Sequence, residues 1–472
     1  MFRFYLPAGR QTAKNFIFLA LATLFLGTWN TSAQEPPPAL PQMLPDAMPE
    51  IPAWAGKDKD EPFDVKKFLE SRTVAPSDNA APLYFWALAD VSNNMAFVYP
   101  PDQWKARLPQ VEALGRDIGN MADDEKLKAG SIPITDIERV LKNAQPTLDK
   151  IDQAQQKKRC VFITGIRFDS RLEHIMAARQ IARLELLQIY HACSKDDFAE
   201  AEQAIKRTLR LSRDLRPRGL FVNQLVSYAV EGIILEAIAN YTLTQRSLTP
   251  EQCDRLLALL ADRDLLIKAA LTEGLKMEYI SQRNIFNDLQ TGGIKRDVLV
   301  KSLGGTQFTD EQLKQINWRK EISALNSSYA KMFAIAAKPY DKSALDEFNK
   351  KEVSKLKAEK NVLTPLLLPS VSGFYNAQTR MQARVAGTQC LIAVCRYILA
   401  HDKLPADLAA ALTEAGMKEV LLDPYDGKPM RYKVINGKPV VYSVGPDQKD
   451  DGATVEWTGG NSSGDMIYRI GE

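Results

Sequence analysis

Apolar residues recur every third or fourth position through most of the chain, which is the spacing of one helix face. The period holds from about Glu61 to Asp402. Phe198, Ala201, Ile205, Thr208, Leu209, Ser212 and Leu215 share one such face, while Lys206, Arg207, Arg210 and Arg213 lie on others. The preceding helix is predicted from about Leu172 to Ala192, with Ser194 to Asp197 as the break. Leu220 to Leu243 is apolar almost all round, which predicts a buried central helix. In Leu248-Thr249-Pro250-Glu251, Thr249 can cap a new helix and Pro250 can occupy its first turn. Long helices with short breaks predict a mainly α fold of stacked antiparallel helices.

The pattern changes near the C-terminus. Met381, Val385, Thr388, Ile392, Cys395 and Leu399 form a narrow helical stripe that ends near Asp402. A short helix is expected after Leu404-Pro405, then a turn over Asp423-Pro424-Tyr425-Asp426-Gly427. Met430 to Ile435 and Lys438 to Val444 read as strands around Asn436-Gly437. Asn-Gly supplies the two positive φ angles of a tight hairpin turn. Pro439 lacks a ladder donor, so it belongs at an edge or bulge. The layout expected is therefore a helical body over 61–363, then a long helix and a small α+β module over 364–472.

Composition adds the ends of the chain and removes some partners. Arg3, Arg10 and Lys14 precede an apolar run from Phe16 to about Leu26, and small residues lead to Ala33. That is the layout of a secretory signal peptide over 1–33, cleaved after Ala33. The run is short for a membrane span, so contact with a membrane is expected only if this segment stays uncleaved. Residues 34–60 are proline-rich and read as a disordered tether. The chain has 472 residues and a net charge of +3, all of it carried by those first three basic residues. Without them basic and acidic residues balance, which argues against nucleic acid as a partner.

Five cysteines (Cys160, Cys193, Cys253, Cys390 and Cys395) are too scattered for a disulfide framework, although a single long-range bridge such as Cys160–Cys193 is compatible with export. No Gly-x-Ser-x-Gly elbow, phosphate-binding glycine loop or His-Glu-x-x-His occurs. His174 and His191 read as core or surface residues rather than metal ligands. Glu231, within an apolar helix, is the one candidate buried acid; a hydrogen bond to a tyrosine or arginine is its ordinary fate.

One acidic loop carries candidate chemistry. Asp447, Asp450 and Asp451 stand close together between Gly445 and Gly452, and Asp465 follows Gly464. Hard cations such as calcium take several oxygens on bent loops of this kind. Asp423, Pro424, Gly427, Tyr432, Tyr442, Ser443, Gly445, Asp447 and Gly452, together with Asp465, resemble the C-terminal half of the major pseudopilins of type II secretion. That resemblance covers about residues 375–470 and implies a pseudopilin-like module with a calcium loop at Asp447, Asp450, Asp451 and Asp465. It does not imply pilus assembly, because a long helical body stands where a pseudopilin has its N-terminal helix.

Asp197-Phe198-Ala199-Glu200-Ala201 is similar to the middle of a tetratricopeptide repeat, so the body is expected as repeat-like helical pairs. Most of the chain also resembles exported bacterial proteins of unassigned activity that pair a helical body with this tail. The shared features are Asp78-Asn79-Ala80-Ala81-Pro82, Arg159-Cys160-Val161-Phe162 ahead of the helix with Arg179, Ala182, Arg183 and Leu184, and the 423–452 segment. The expected function is that of an exported, non-catalytic interaction or scaffold protein of the periplasm or cell surface. Its partner would be another envelope protein. The alternative is an enzyme with dispersed acidic and arginine residues in a helical cleft.

Overall fold

Short polar side chains start many of the helices by accepting the first free backbone N–H groups. Asp64, Asp197, Asn317, Asp341, Ser370 and Asp407 each cap a helix in this way, and Thr249 with Gln252 forms a reciprocal capping box. The computed structural model describes residues 50–162, 166, 170, 172–294, 298, 314–460 and 462–471. The signal segment expected over 1–33 and the tether as far as residue 49 lie outside the described residues.

The helices are α1 (Val65–Ser71), α2 (Ala81–Leu88), α3 (Pro101–Met121), α4 (Asp124–Lys128), α5 (Ile134–Gln155), α6 (Glu173–Ser194) and α7 (Phe198–Asp214). They continue with α8 (Phe221–Asn240), α9 (Pro250–Leu260), α10 (Arg263–Thr291), α11 (Trp318–Ala336), α12 (Lys342–Ala358), α13 (Thr364–Leu367), α14 (Val371–His401) and α15 (Leu408–Glu414). Strands β1 (Arg431–Ile435), β2 (Lys438–Ser443) and β3 (Met466–Tyr468) form one antiparallel sheet in the order β1-β2-β3. The protein is thus mainly helical with a small sheet near its C-terminus, as the periodicity predicts.

Helix α6 packs on α7 and α8, and α7 on α8. Every residue of the expected stripe from Phe198 to Leu215 is buried. Helix α8 has buried residues on all sides, as its composition requires. Helices α8 and α14 are apolar and long enough to span a membrane, and both are mostly enclosed by the rest of the fold. The segments Asp78 to Pro82 and Arg159 to Phe162, singled out in the sequence, meet in the fold. Asn79 Nδ2 donates to Val161 O at 3.1 Å, Val161 N donates back to Asn79 Oδ1 at 2.9 Å, and Ala80 N donates to Arg159 O at 2.9 Å.

Residues 50–60, expected as the end of a disordered tether, lie against the body. The Trp54 ring is buried, its Nε1 donates to Asn284 Oδ1 at 2.7 Å, and Asp58 pairs with Arg283 at 3.1 Å. An indole among prolines brings enough apolar surface to hold the segment down.

Helix α14 joins the two parts. It packs on α8, α9 and α10 on the body side and on β2 and β3 on the other. Gly387 makes the second contact possible, since a Cβ there would sit 2.3 Å from the Tyr468 ring. The hairpin turn is formed by Asn436 and Gly437 with φ of 52° and 76°. Pro439 pairs with Val434 on β1, and β3 covers β2 only from Val441 onward, so the missing N–H faces no strand. One stripe residue departs from expectation: Leu399 is exposed, where the last turn of α14 runs past the packing surface.

Candidate functional site

The acidic loop comes first because the sequence singles it out. Its carboxylates are dispersed among separate donors. Asp447 accepts from Lys449 N at 3.2 Å and from Gly464 N at 3.0 Å. Asp465 is fully buried and accepts from Ala453 N at 2.6 Å and Asp451 N at 3.4 Å. Asp450 accepts from Gly452 N at 3.0 Å and from Arg431 Nε at 3.2 Å. Asp451 contributes backbone only, its carbonyl accepting from Thr454 Oγ1 at 2.6 Å. The four residues expected as ligands are therefore neighbours, but each works as a loop fastener. Among the described residues no group of three or more His, Cys, Asp or Glu side chains is placed to hold one metal ion.

Arg431, on β1, is the positive charge that joins three of the carboxylates at this end of the molecule. Its Nη1 donates to Asp423 Oδ2 at 2.7 Å, its Nη2 to Asp426 and its Nε to Asp450. Asp423 is fully buried and also accepts from Tyr425 N, Ser443 Oγ and Val444 N at 2.9–3.0 Å. Burial pushes the Asp423 carboxyl up, against the pull of those donors. For Asp450 burial also raises the pKa, but the Gly452 N–H and Arg431 outweigh it and hold the carboxyl below its usual range.

A second constellation lies in the helical body. The segment after α2, the flank of α3 and the flank of α6 enclose an open cleft of about 510 Å3. Met176, Arg179, Gln180 and Arg183 share one face of α6, and Glu112, Gly115 and Arg116 face them from α3. The walls come close because α3 has no side chain at Gly115, where a Cβ would meet Val91 O at 3.0 Å. Gln180 reaches toward Gly115 O at 3.5 Å and accepts from Arg183 Nη1 at 3.0 Å.

Three guanidinium groups thus face one carboxylate, Glu112. Neither Arg116 nor Arg179 has a hydrogen bond or ion pair among the described residues, and Arg179 Nε is buried without an acceptor. Burial lowers the Arg179 pKa, and the Arg183 charge lowers it further. The neighbouring acid, Asp90, is already taken: Arg107 and Lys150 pair with it, and Tyr99 and Thr147 donate to it at 3.2 Å each. Sequence reading notes Arg179 and Arg183 only as part of a resemblance and misses Arg116. Nothing local in the sequence signals that α3 faces α6.

The other candidates are structural. Glu231 is sealed in the core, where Arg216 Nη2 donates to it at 2.5 Å and Ser212 Oγ at 3.0 Å. His174 stacks on Phe162 with ring centroids 4.7 Å apart, and burial drives its pKa down to about 3. His191 lies 3.3 Å from Glu138 at the surface edge. All five cysteines are free thiols. Comparison with models of protein families, with curated proteins and with solved structures gives no match.

Proposed function

We propose that this is an exported, non-catalytic binding protein of the cell envelope. Its helical body is the recognition surface, and an envelope protein with an acidic surface is its partner. The arginine cleft carries this reading. Leaving Arg179 Nε buried without an acceptor costs stability, on the order of 1 kcal/mol at a half-buried side chain. A fold retains that cost where the missing acceptors arrive with a ligand. The C-terminal sheet, with its resemblance to pseudopilins, acts as a cover on α14. Arg431 takes the part there that calcium would take in the resemblance.

The test is cross-linked affinity purification from the native envelope, run in parallel with the unaltered protein and with R179Q/R183Q. One recurrent partner that is lost with the double variant supports the reading. Identical capture by both proteins refutes the role of the cleft, and a clean monomer refutes the interaction function.

A further inference from the structure

We infer that the cleft between α3 and α6 takes an acidic peptide segment with an apolar residue beside its carboxylates. This rests on the binding function just proposed and names its ligand chemistry. The argument is one of geometry. Arg179 and Arg183 lie one helical turn apart on α6, and Arg116 faces them from α3. The three arginines stand on two walls of the cleft. Each guanidinium can hold one carboxylate through two parallel hydrogen bonds, so the trio matches several carboxylates along a chain.

A phosphate site of the usual kind uses free backbone N–H groups at a helix start. Here all three arginines project from helix interiors, whose N–H groups are spent within the helix. Val91, Val111 and Met176 line the same cleft, which gives an apolar side chain a place to sit. Ser92, Asn93 and Asn94 on the third wall supply the donors and acceptors that an extended peptide backbone needs. Glu112, the one carboxylate in the cleft, repels an acidic ligand on its side and so sets direction.

The experiment titrates the protein beginning at Gln34 with the peptide acetyl-Glu-Glu-Leu-Glu-Glu-amide by calorimetry, alongside its lysine counterpart and inorganic phosphate. The acidic peptide is expected to bind, with affinity falling steeply between 50 and 300 mM salt, on the order of tenfold for a few ion pairs. R179Q/R183Q should weaken binding at least about tenfold, and E112Q should tighten it about twofold, while melting curves confirm that both variants fold. Equal binding of the acidic and lysine peptides, or unchanged affinity in R179Q/R183Q, overturns the inference. So does binding of phosphate without the peptide. If the peptide fails while envelope capture still depends on Arg179 and Arg183, the ligand class is wrong and the binding function stands.

Discussion

Arg431 and the trio Arg116, Arg179 and Arg183 are the same side chain in opposite circumstances. Arg431 donates to three carboxylates at once and ties β1 to the turn at Asp423 and the loop at Asp450. The cleft arginines have one carboxylate among the three of them and make no ion pair with it among the described residues; Arg183 donates to Gln180, and Arg116 and Arg179 have no acceptor there. A guanidinium whose donors are filled within the chain works for the fold. One whose donors are empty at a cleft costs the fold something and is placed for a partner. The two regions therefore separate stability from recognition within one molecule.

The largest effect should come from breaking the satisfied arginine. R431M leaves buried Asp423 without its counter-charge while three other donors remain. We expect a loss of about 3 kcal/mol in unfolding free energy by urea titration. A loss under 0.5 kcal/mol would remove the clamp from the account.

A smaller effect sharpens the comparison from the acidic side. Among the described residues Glu278 on α10 has no cationic partner and accepts from Phe221 N at 2.9 Å, and burial raises its pKa from 4.5 to about 7. Because the fold disfavours the charged form, its stability is complete below pH 4.5 and declines as pH rises through about 7. E278Q should then stabilise the protein by about 2 kcal/mol above pH 7 and by nothing near pH 4. A melting difference that does not vary with pH would contradict this.

Smaller still is the effect of emptying the cleft. R179Q/R183Q should stabilise the fold by about 1 kcal/mol or less, since the unsatisfied Arg179 Nε is removed and two like charges are relieved. A loss of 2 kcal/mol would mean that these arginines hold the fold. The smallest change is expected from calcium. Equal midpoints in millimolar calcium and in chelator follow from carboxylates already engaged by Arg431 and backbone N–H groups. A raised midpoint would restore the ion.

What was legible in the sequence follows the range of the forces involved. Helix α7 with the break before it at Ser194 to Asp197, the Thr249 cap and the Asn436-Gly437 turn are local, and periodicity with turn chemistry reveals them. The acidic loop was visible as a cluster, but its chemistry was not. Whether Asp447 and Asp465 face an ion or backbone N–H groups depends on where residues 451–464 fold back. Arg431 was hidden in the same way, because a basic residue on a strand carries no mark of the turn it will meet. The cleft was the least legible. Its three arginines come from α3 and α6, and only packing brings those flanks together. Trp54 left a signal that sequence reading passed over: a large apolar ring in a segment otherwise composed for disorder.

One paired measurement tests the central claim most directly: unfolding free energy and acidic-peptide affinity, both determined for R431M and for R179Q/R183Q. The account predicts a crossed result. R431M loses stability but binds normally under conditions where it is folded, and R179Q/R183Q keeps its stability but loses at least about tenfold in affinity. If both variants lose stability and binding together, the division between a folding arginine and recognition arginines is wrong.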